Sequence, residues 1–192
     1  NLTSGQIDKY ECLVRMLDEQ GEPISPIHFL DLAKKIRLYR TLTRRMVDLA
    51  LERFEGQPWS FSLNLSCEDL LDPELTDHIL ESIATRNMGR QVIFEILESE
   101  GIENYSAVRQ FIDRAKAQGC RIAIDDFGTG YSNFEHLLRL DVDLIKIDGS
   151  LIRQLDSNPT ALTLCRGIVQ FAQELSMQTV AEFVHNPAVL SQ

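Results

Sequence analysis

The stretch RIAIDDFGTGYSNFEHL, Arg121–Leu137, decides how the rest of the chain is read. Its first residues alternate in strand fashion and deliver two adjacent carboxylates, Asp125 and Asp126, to the end of a buried strand. Like charges side by side repel, so something must neutralise them. The turn FGTGYS follows, where Gly128 and Gly130 permit backbone angles that other residues resist, and then comes a helix-like run. A tight strand-to-helix turn explains the glycine pair nearly as well as a place beside a site does. Joined to the two aspartates, the pair is much more specific.

Working outward, the same architecture repeats: a short apolar strand, a turn, a helical stretch, then another strand. Strands are expected at Lys9–Met16 (KYECLVRM), Trp59–Ser66 (WSFSLNLS), Gln91–Ser99 (QVIFEILES), Arg121–Phe127 (RIAIDDF), Asp143–Gly149 (DLIKIDG) and Gln178–Val184 (QTVAEFV). Helices are expected from Pro26 toward Tyr39, over Leu42–Phe54, from Pro73 to Ala84, and over Ser106–Gln118 with Gly119 just past the end. Another is capped at Asn158-Pro159 and runs to Ser176. Strand spacing of mostly ~20–40 residues fits the βαβ unit. Strands apolar on both faces belong in a parallel sheet covered by helices. Periodicity leaves an open sheet and a barrel equally possible.

The polar residues separate the two. Near the C-terminal end of each strand sits a group able to bind metal or move protons: Glu11, Asn64, Glu95, Asp125 with Asp126, Lys146 with Asp148, and Glu182. An open sheet would spread these groups too far apart to cooperate. A closed barrel gathers them at one mouth, where barrel enzymes place their chemistry. The expectation is therefore an α/β chain folded as a TIM-like (β/α) barrel.

The bulk numbers agree. The 192 residues are 44% hydrophobic and 25% charged, which suits one domain with a sizeable core. A net charge of −10 offers no basic surface to DNA, RNA or an anionic membrane, and an anionic substrate would need help from bound metal. Cys12, Cys67, Cys120 and Cys165 are scattered without metal-ligand spacing and read as free thiols in a reducing compartment. No apolar run approaches the ~20 residues of a membrane span, and no secretory apolar region opens the chain. The basic run Lys34–Arg45 spreads its charges around a helix axis and reads as a solvated face. His28, His78 and His136 show no ligand spacing, and Trp59 reads as core.

Several carboxylates in one mouth call for a cation. Asp and Glu oxygens with one Asn carbonyl, and no His or Cys, select a hard ion, Mg²⁺ or Mn²⁺. Adjacent aspartates point to two ions, with one carboxylate bridging them. Such a pair suits in-line attack by water on a phosphate ester. A lysine within the cluster can position or deprotonate that water. Taken singly, Glu11, Glu95 or Glu182 would default to a structural ion pair, and Asp148 to a helix cap. The set outweighs those defaults through convergence.

These residues together resemble the EAL domain family of bacterial cyclic di-GMP phosphodiesterases and their degenerate relatives. YECLVR (Tyr10–Arg15) is similar to the signature that names the family, with Cys12 where alanine is usual. SLNLS, FEILES, DDFGTGYSNFEHL, LIKID and VAEFV follow in family order across essentially the whole chain. The resemblance implies metal-dependent opening of cyclic di-GMP to linear pGpG. It implies Glu11, Asn64, Glu95 and Asp125 as ligands of a first metal. Asp125 would bridge to a second ion held also by Asp126, with Glu182 nearby directly or through water. Lys146 would act as general base or water-positioner, Arg15 would meet a substrate phosphate beside the apolar Leu13, and Glu98 would brace the DDFGTGYS loop. It further implies a homodimer, a flanking sensor or GGDEF-type domain in the full-length protein, and a cytoplasmic location, free or as the inner part of a membrane-anchored sensor.

There are departures. AEFVH stands where the family usually reads AEGVE, so Phe183 replaces a glycine and His185 a glutamate. Bulk at Phe183 is expected to block a guanine or move Glu182. The alternative function is thus a catalytically weak or silent EAL module that binds cyclic di-GMP or docks a protein. A third, weaker option is an unrelated Mg²⁺ barrel of the enolase type. The chain also starts after the family's opening strand and stops before its closing strand and glutamine, so the expectation is one domain over residues 1–192, truncated at both ends.

Overall fold

The computed structural model describes residues 1–97, 105–128, 137 and 139–192, and all statements below concern these. Val92–Leu97 (VIFEIL) lies inside the sheet: five of its six residues are buried, because it is apolar on both faces apart from Glu95. In chain order the strands are β1 (Lys9–Cys12), β2 (Met16–Leu17), β3 (Pro23–Ile24), β4 (Ser60–Asn64), β5 (Val92–Leu97), β6 (Arg121–Phe127), β7 (Leu144–Ile147) and β8 (Gln178–Ala181). Six of them form one parallel sheet in the order β1-β4-β5-β6-β7-β8, and β2 pairs antiparallel with β3 as a separate hairpin.

The helices are α1 (Leu30–Lys35), α2 (Tyr39–Phe54), α3 (Cys67–Leu70), α4 (Pro73–Arg86), α5 (Tyr105–Ala117), α6 (Gly149–Ile152), α7 (Pro159–Glu174) and α8 (Pro187–Leu190). Their starts follow local chemistry. Asp72 accepts from Glu74 N and Leu75 N ahead of Pro73, and Asn158 does the same for Thr160 N and Ala161 N ahead of Pro159. The helix expected from Pro26 to Tyr39 is broken: a 3₁₀ turn covers Pro26–His28, α1 ends at Lys35, and Arg37 takes a left-handed φ of 61° that restarts the chain as α2. The strand expected over Lys9–Met16 stops at Cys12, and Met16–Leu17 turns into the hairpin. The basic run lies at the surface: Arg40 pairs with Asp72 and Glu74 while Thr43 and Val47 are buried. No cysteine is disulfide-bonded among the described residues, and burial pushes the Cys120 thiol up to about 12. Among the described residues no helix is long and apolar enough to cross a membrane.

Two apolar layers flank the sheet. Phe61, Leu63, Val92, Phe94, Ile96, Ile122, Ile124 and Ile145 point outward and pack with Val47, Leu51, Ile79, Ile83, Phe111 and Ile112 of the helices into the main core. On the other face Ile93, Ala123 and Leu144 form a small separate cluster with Val180 against it. Strand residues two apart share a face. Each member of the small cluster therefore lies one layer beneath a polar residue: Ile93 under Glu95, Ala123 under Asp125, Leu144 under Lys146, Val180 under Glu182.

The sheet is strongly curled. Four strand spacings separate β1 from β7, roughly 19 Å in a flat sheet. Yet Glu11 of β1 approaches Lys146 of β7 to 3.5 Å. The sheet bends as the wall of a (β/α) barrel does, with β1 and β8 as its edges.

Phe94 is fully buried and meets Phe111 edge to face at 5.1 Å between centroids, tying the central strand to α5. Phe94→Ala is expected to cost about 3–5 kcal/mol in denaturant unfolding. A loss below about 1 kcal/mol would contradict this account of the core.

Candidate active site

Regular strand alternation sends neighbouring side chains to opposite faces, so two adjacent aspartates should not share one mouth. A bulge resolves the conflict. The register of β6 against β7 shifts between Ile124 and Phe127, and Asp126 takes a left-handed φ of 56°. Bulges re-aim side chains in this way, and aspartate tolerates the left-handed region better than most residues. Asp126 N also donates to Asp125 Oδ1 at 3.0 Å, drawing the pair together.

The other strands bring their polar ends to the same place. Lys146 Nζ lies 2.7 Å from Glu95 Oε2, 2.9 Å from Asp125 Oδ1, 2.9 Å from Glu182 Oε1 and 3.5 Å from Glu11 Oε2. The lysine is only 5% exposed. Two groups have oxygen atoms close enough to share an ion: Glu11, Glu95 and Asp125, and then Asp125, Asp126 and Glu182. Asp125 belongs to both. Asn64, at the end of β4, is paired in register with Glu95 and donates its Nδ2 to Glu11 Oε1 at 3.0 Å.

Negative charge exceeds what one ammonium balances. Burial pushes the Glu95 carboxyl up to about 7, with Lys146 and a hydrogen bond from Ser62 opposing and Glu11 adding to the rise. Burial and then the charges of Asp125 and Asp148 raise Asp126. Burial also raises Glu182, helped by Asp125 and Glu11 and opposed by Lys146. Burial alone would discharge Lys146, but Glu95 first and then Asp125 and Glu182 hold it well above its ordinary range.

The remaining expected residues are placed as follows. Leu13 and Arg15 lie just past β1 and are exposed, and Arg15 Nη1 donates to Val14 O at 2.7 Å. Glu98 lies outside the described residues, as do positions 129–136, which include His136 and most of the glycine-rich loop. Asp148 is a helix cap: Oδ1 accepts from Ser150 N at 2.7 Å, and the side chain also hydrogen-bonds Asp126. Ser62, which the motif reading passed over, is buried and holds Glu95. Its position two residues before Asn64 on one face was the available signal.

Phe183 does not displace Glu182, contrary to one of the two expectations for it. Its backbone is left-handed at φ 50°, and its ring rests on Gly149, where an added Cβ would come within 2.3 Å of Phe183 Cδ2. The Arg153 guanidinium covers the ring at 4.3 Å from its centroid. Glu182 therefore stays on Lys146. His185 is exposed and shares a 2.9 Å contact with Asn186 Nδ2.

Similar proteins are consistent with this geometry. Cyclic di-GMP phosphodiesterase PdeF of Escherichia coli (strain K12) is 32% identical over 186 residues, 94% of this chain and 25% of its own length. Cyclic di-GMP phosphodiesterase PA2567 of Pseudomonas aeruginosa is 32% identical over 188 residues, 95% of this chain and 32% of its own. The chain thus spans about a quarter to a third of these relatives. The PaMucR phosphodiesterase, solved with c-di-GMP, superposes with a TM-score of 0.84 at 28% identity, covering 96% of this chain and 81% of that one. The c-di-GMP-bound EAL domain of FimX from Pseudomonas aeruginosa gives a TM-score of 0.89 at 24% identity, covering 98% of this chain and 78% of that one, a likeness of fold. The sequence model of the EAL domain matches residues 1–192. With acidic ends from four strands closing on one lysine in a barrel-like sheet, and a match along its whole length, this chain belongs to the EAL domain family.

Proposed function

We propose that residues 1–192 act as one EAL-type domain that hydrolyses cyclic di-GMP to linear pGpG. The observation that carries the reading is the gathering of Glu11, Glu95, Asp125, Asp126 and Glu182 around Lys146 at one end of the sheet. The donor set fits hard divalent ions: it is made of oxygens, Asp125 is common to both groups, and three of its carboxyls are raised by burial, with neighbouring carboxylates adding to the rise. Glu11, Asn64, Glu95 and Asp125 would hold one ion and Asp125, Asp126 and Glu182 a second, either Mg²⁺ or Mn²⁺, which would polarise the phosphate and acidify a bound water.

The chain's own residues do the rest. Lys146, among the carboxylates, orients the attacking water through its ammonium, and takes that water's proton only where bound dications have first lowered the lysine's own proton affinity. Glu182, bonded to that lysine, fixes where its Nζ points. Arg15 is exposed beyond β1 with guanidinium donors to spare, which suits a phosphate oxygen, and exposed Leu13 offers an apolar surface beside it. The apolar floor of Ile93, Ala123 and Leu144 keeps water from the underside, so charges above it act at higher strength. Glu98 is proposed to brace the loop after β6. The relatives' greater length supports further domains in the working protein, and we propose a sensor or GGDEF-type neighbour, a homodimer and a cytoplasmic setting.

Purified full-length protein with Mn²⁺ is expected to convert cyclic di-GMP to pGpG, and Asp125→Asn to lower the rate at least about a hundredfold, as loss of a preorganised charged group does. Product chromatography decides it. Binding without cleavage by the unaltered protein would sink the hydrolase reading.

The second reading, a silent binding module, rests on Phe183 and His185. The Phe183 ring is held by Gly149 and Arg153, which favours the active form. The double substitution Phe183→Gly with His185→Glu is therefore expected to change turnover by less than about tenfold, a barrier difference of about 1.4 kcal/mol. A large gain would favour the silent module.

Affinity for Mn²⁺ should depend on pH. Protons on Glu95, held to about 7, and on the raised Asp126 and Glu182 compete with the ion. Calorimetry should find binding tightening from pH 6 to 8 with proton release that fades at the upper end. Affinity independent of pH across that range would contradict the assignment.

A further inference from the structure

The ammonium of Lys146 sits where a cation belongs. Its Nζ is within 2.9 Å of Glu95, Asp125 and Glu182, and 3.5 Å from Glu11. Three ammonium protons match three close carboxylates, which is the full donor capacity of a lysine. The same side chains make up both groups whose oxygens can share an ion, apart from Asp126. A divalent ion would need those oxygens at shorter range, 2.0–2.1 Å for Mg²⁺. An oxygen turned to the ammonium is not available on that side to a metal. A dication and an ammonium a few ångströms apart also repel strongly in a buried site. Lysine differs from arginine in having a compact charge on a flexible four-carbon stem, so its head can withdraw while its stem stays put.

We propose that Lys146 is a resident cation that holds the carboxylate ring together before metal arrives and competes with the metal for it. The inference rests on the metal-site reading above. Without a central positive charge, Glu11, Glu95, Asp125 and Glu182 would repel one another and the ends of β1, β5, β6 and β8 would splay. With the ammonium in place the ring is preassembled, at the cost of weaker metal binding than the same oxygens would give alone. Loading and lysine position would then be linked: for a dication to take these oxygens, Lys146 Nζ would have to withdraw from the carboxylates. The head group reaches the place where it can orient water only after the ion is seated. Metal occupancy and catalytic readiness become one event, and metal supply sets the activity of the site.

The test compares Mn²⁺ binding by chelator-stripped wild type, Lys146→Met and Lys146→Arg, using calorimetry with far-ultraviolet dichroism to report folding. Lys146→Met, similar in length and uncharged, is expected to bind Mn²⁺ at least about tenfold more tightly than wild type, a floor set by removal of the ammonium–dication repulsion. Lys146→Arg, which keeps the charge, is expected to bind no more tightly than wild type. A folded Lys146→Met protein with equal or weaker affinity overturns the proposal. Lys146→Met that folds only when Mn²⁺ is added supports it, since one cation then replaces another. Lys146→Met that stays unfolded at saturating Mn²⁺ overturns it. No Mn²⁺ binding by any of the three proteins would overturn the metal-site reading itself, and the competition with it.

Discussion

One buried ammonium surrounded by carboxylates from distant parts of the chain is the interaction on which this structure turns. Lys146 reaches Glu11, Glu95, Asp125 and Glu182, which belong to β1, β5, β6 and the end of β8. A buried charge without partners is expensive, and so is each of those carboxylates alone. The contacts can form only if the sheet curls far enough to bring β1 and β7 together, so the barrel curvature and the ion cluster require one another. The small apolar layer of Ile93, Ala123 and Leu144 fills the space under the cluster and keeps the walls at the right separation.

Around that cluster the chain departs from what local preference would choose. Asp126 is left-handed and bulged, Phe183 is left-handed without being glycine, and four carboxyl groups share a single lysine. Departures of this kind gather at functional sites and are held in place by the surrounding packing. At Asp126 the deviation turns a second carboxylate to the mouth. At Phe183 it is supported from outside, by contact with Gly149 and the Arg153 guanidinium. A residue that looked obstructive as a letter in the chain is accommodated on the rim, and Glu182 keeps its partner. Family membership alone does not separate hydrolase from binding module. The integrity of the cluster is what favours the hydrolase.

Much of the fold was legible because it depends on short-range rules. Period-two apolar runs identified the six strands of the large sheet, and Pro73 and Asn158-Pro159 marked helix starts that the structure keeps. The oxygen-rich strand ends could be listed because each stands at a fixed offset from an apolar run. What escaped was small or depended on context. The break at Arg37 and the short β2–β3 hairpin carry little periodic signal, and Ser62 looks like any strand serine until Glu95 is seen against it.

The amino-acid order by itself determined the parallel βα architecture, the chemical class of the mouth and the pairing of Asp125 with Asp126, because these follow from side-chain period and type. Only tertiary structure decided that Lys146 takes the centre of the acidic ring, that a bulge lets neighbouring aspartates face one way, and that Phe183 lies on Gly149 rather than across Glu182. Those outcomes depend on distances between residues far apart in the chain, which are set by how tightly the sheet curls and by what packs beneath and beside it.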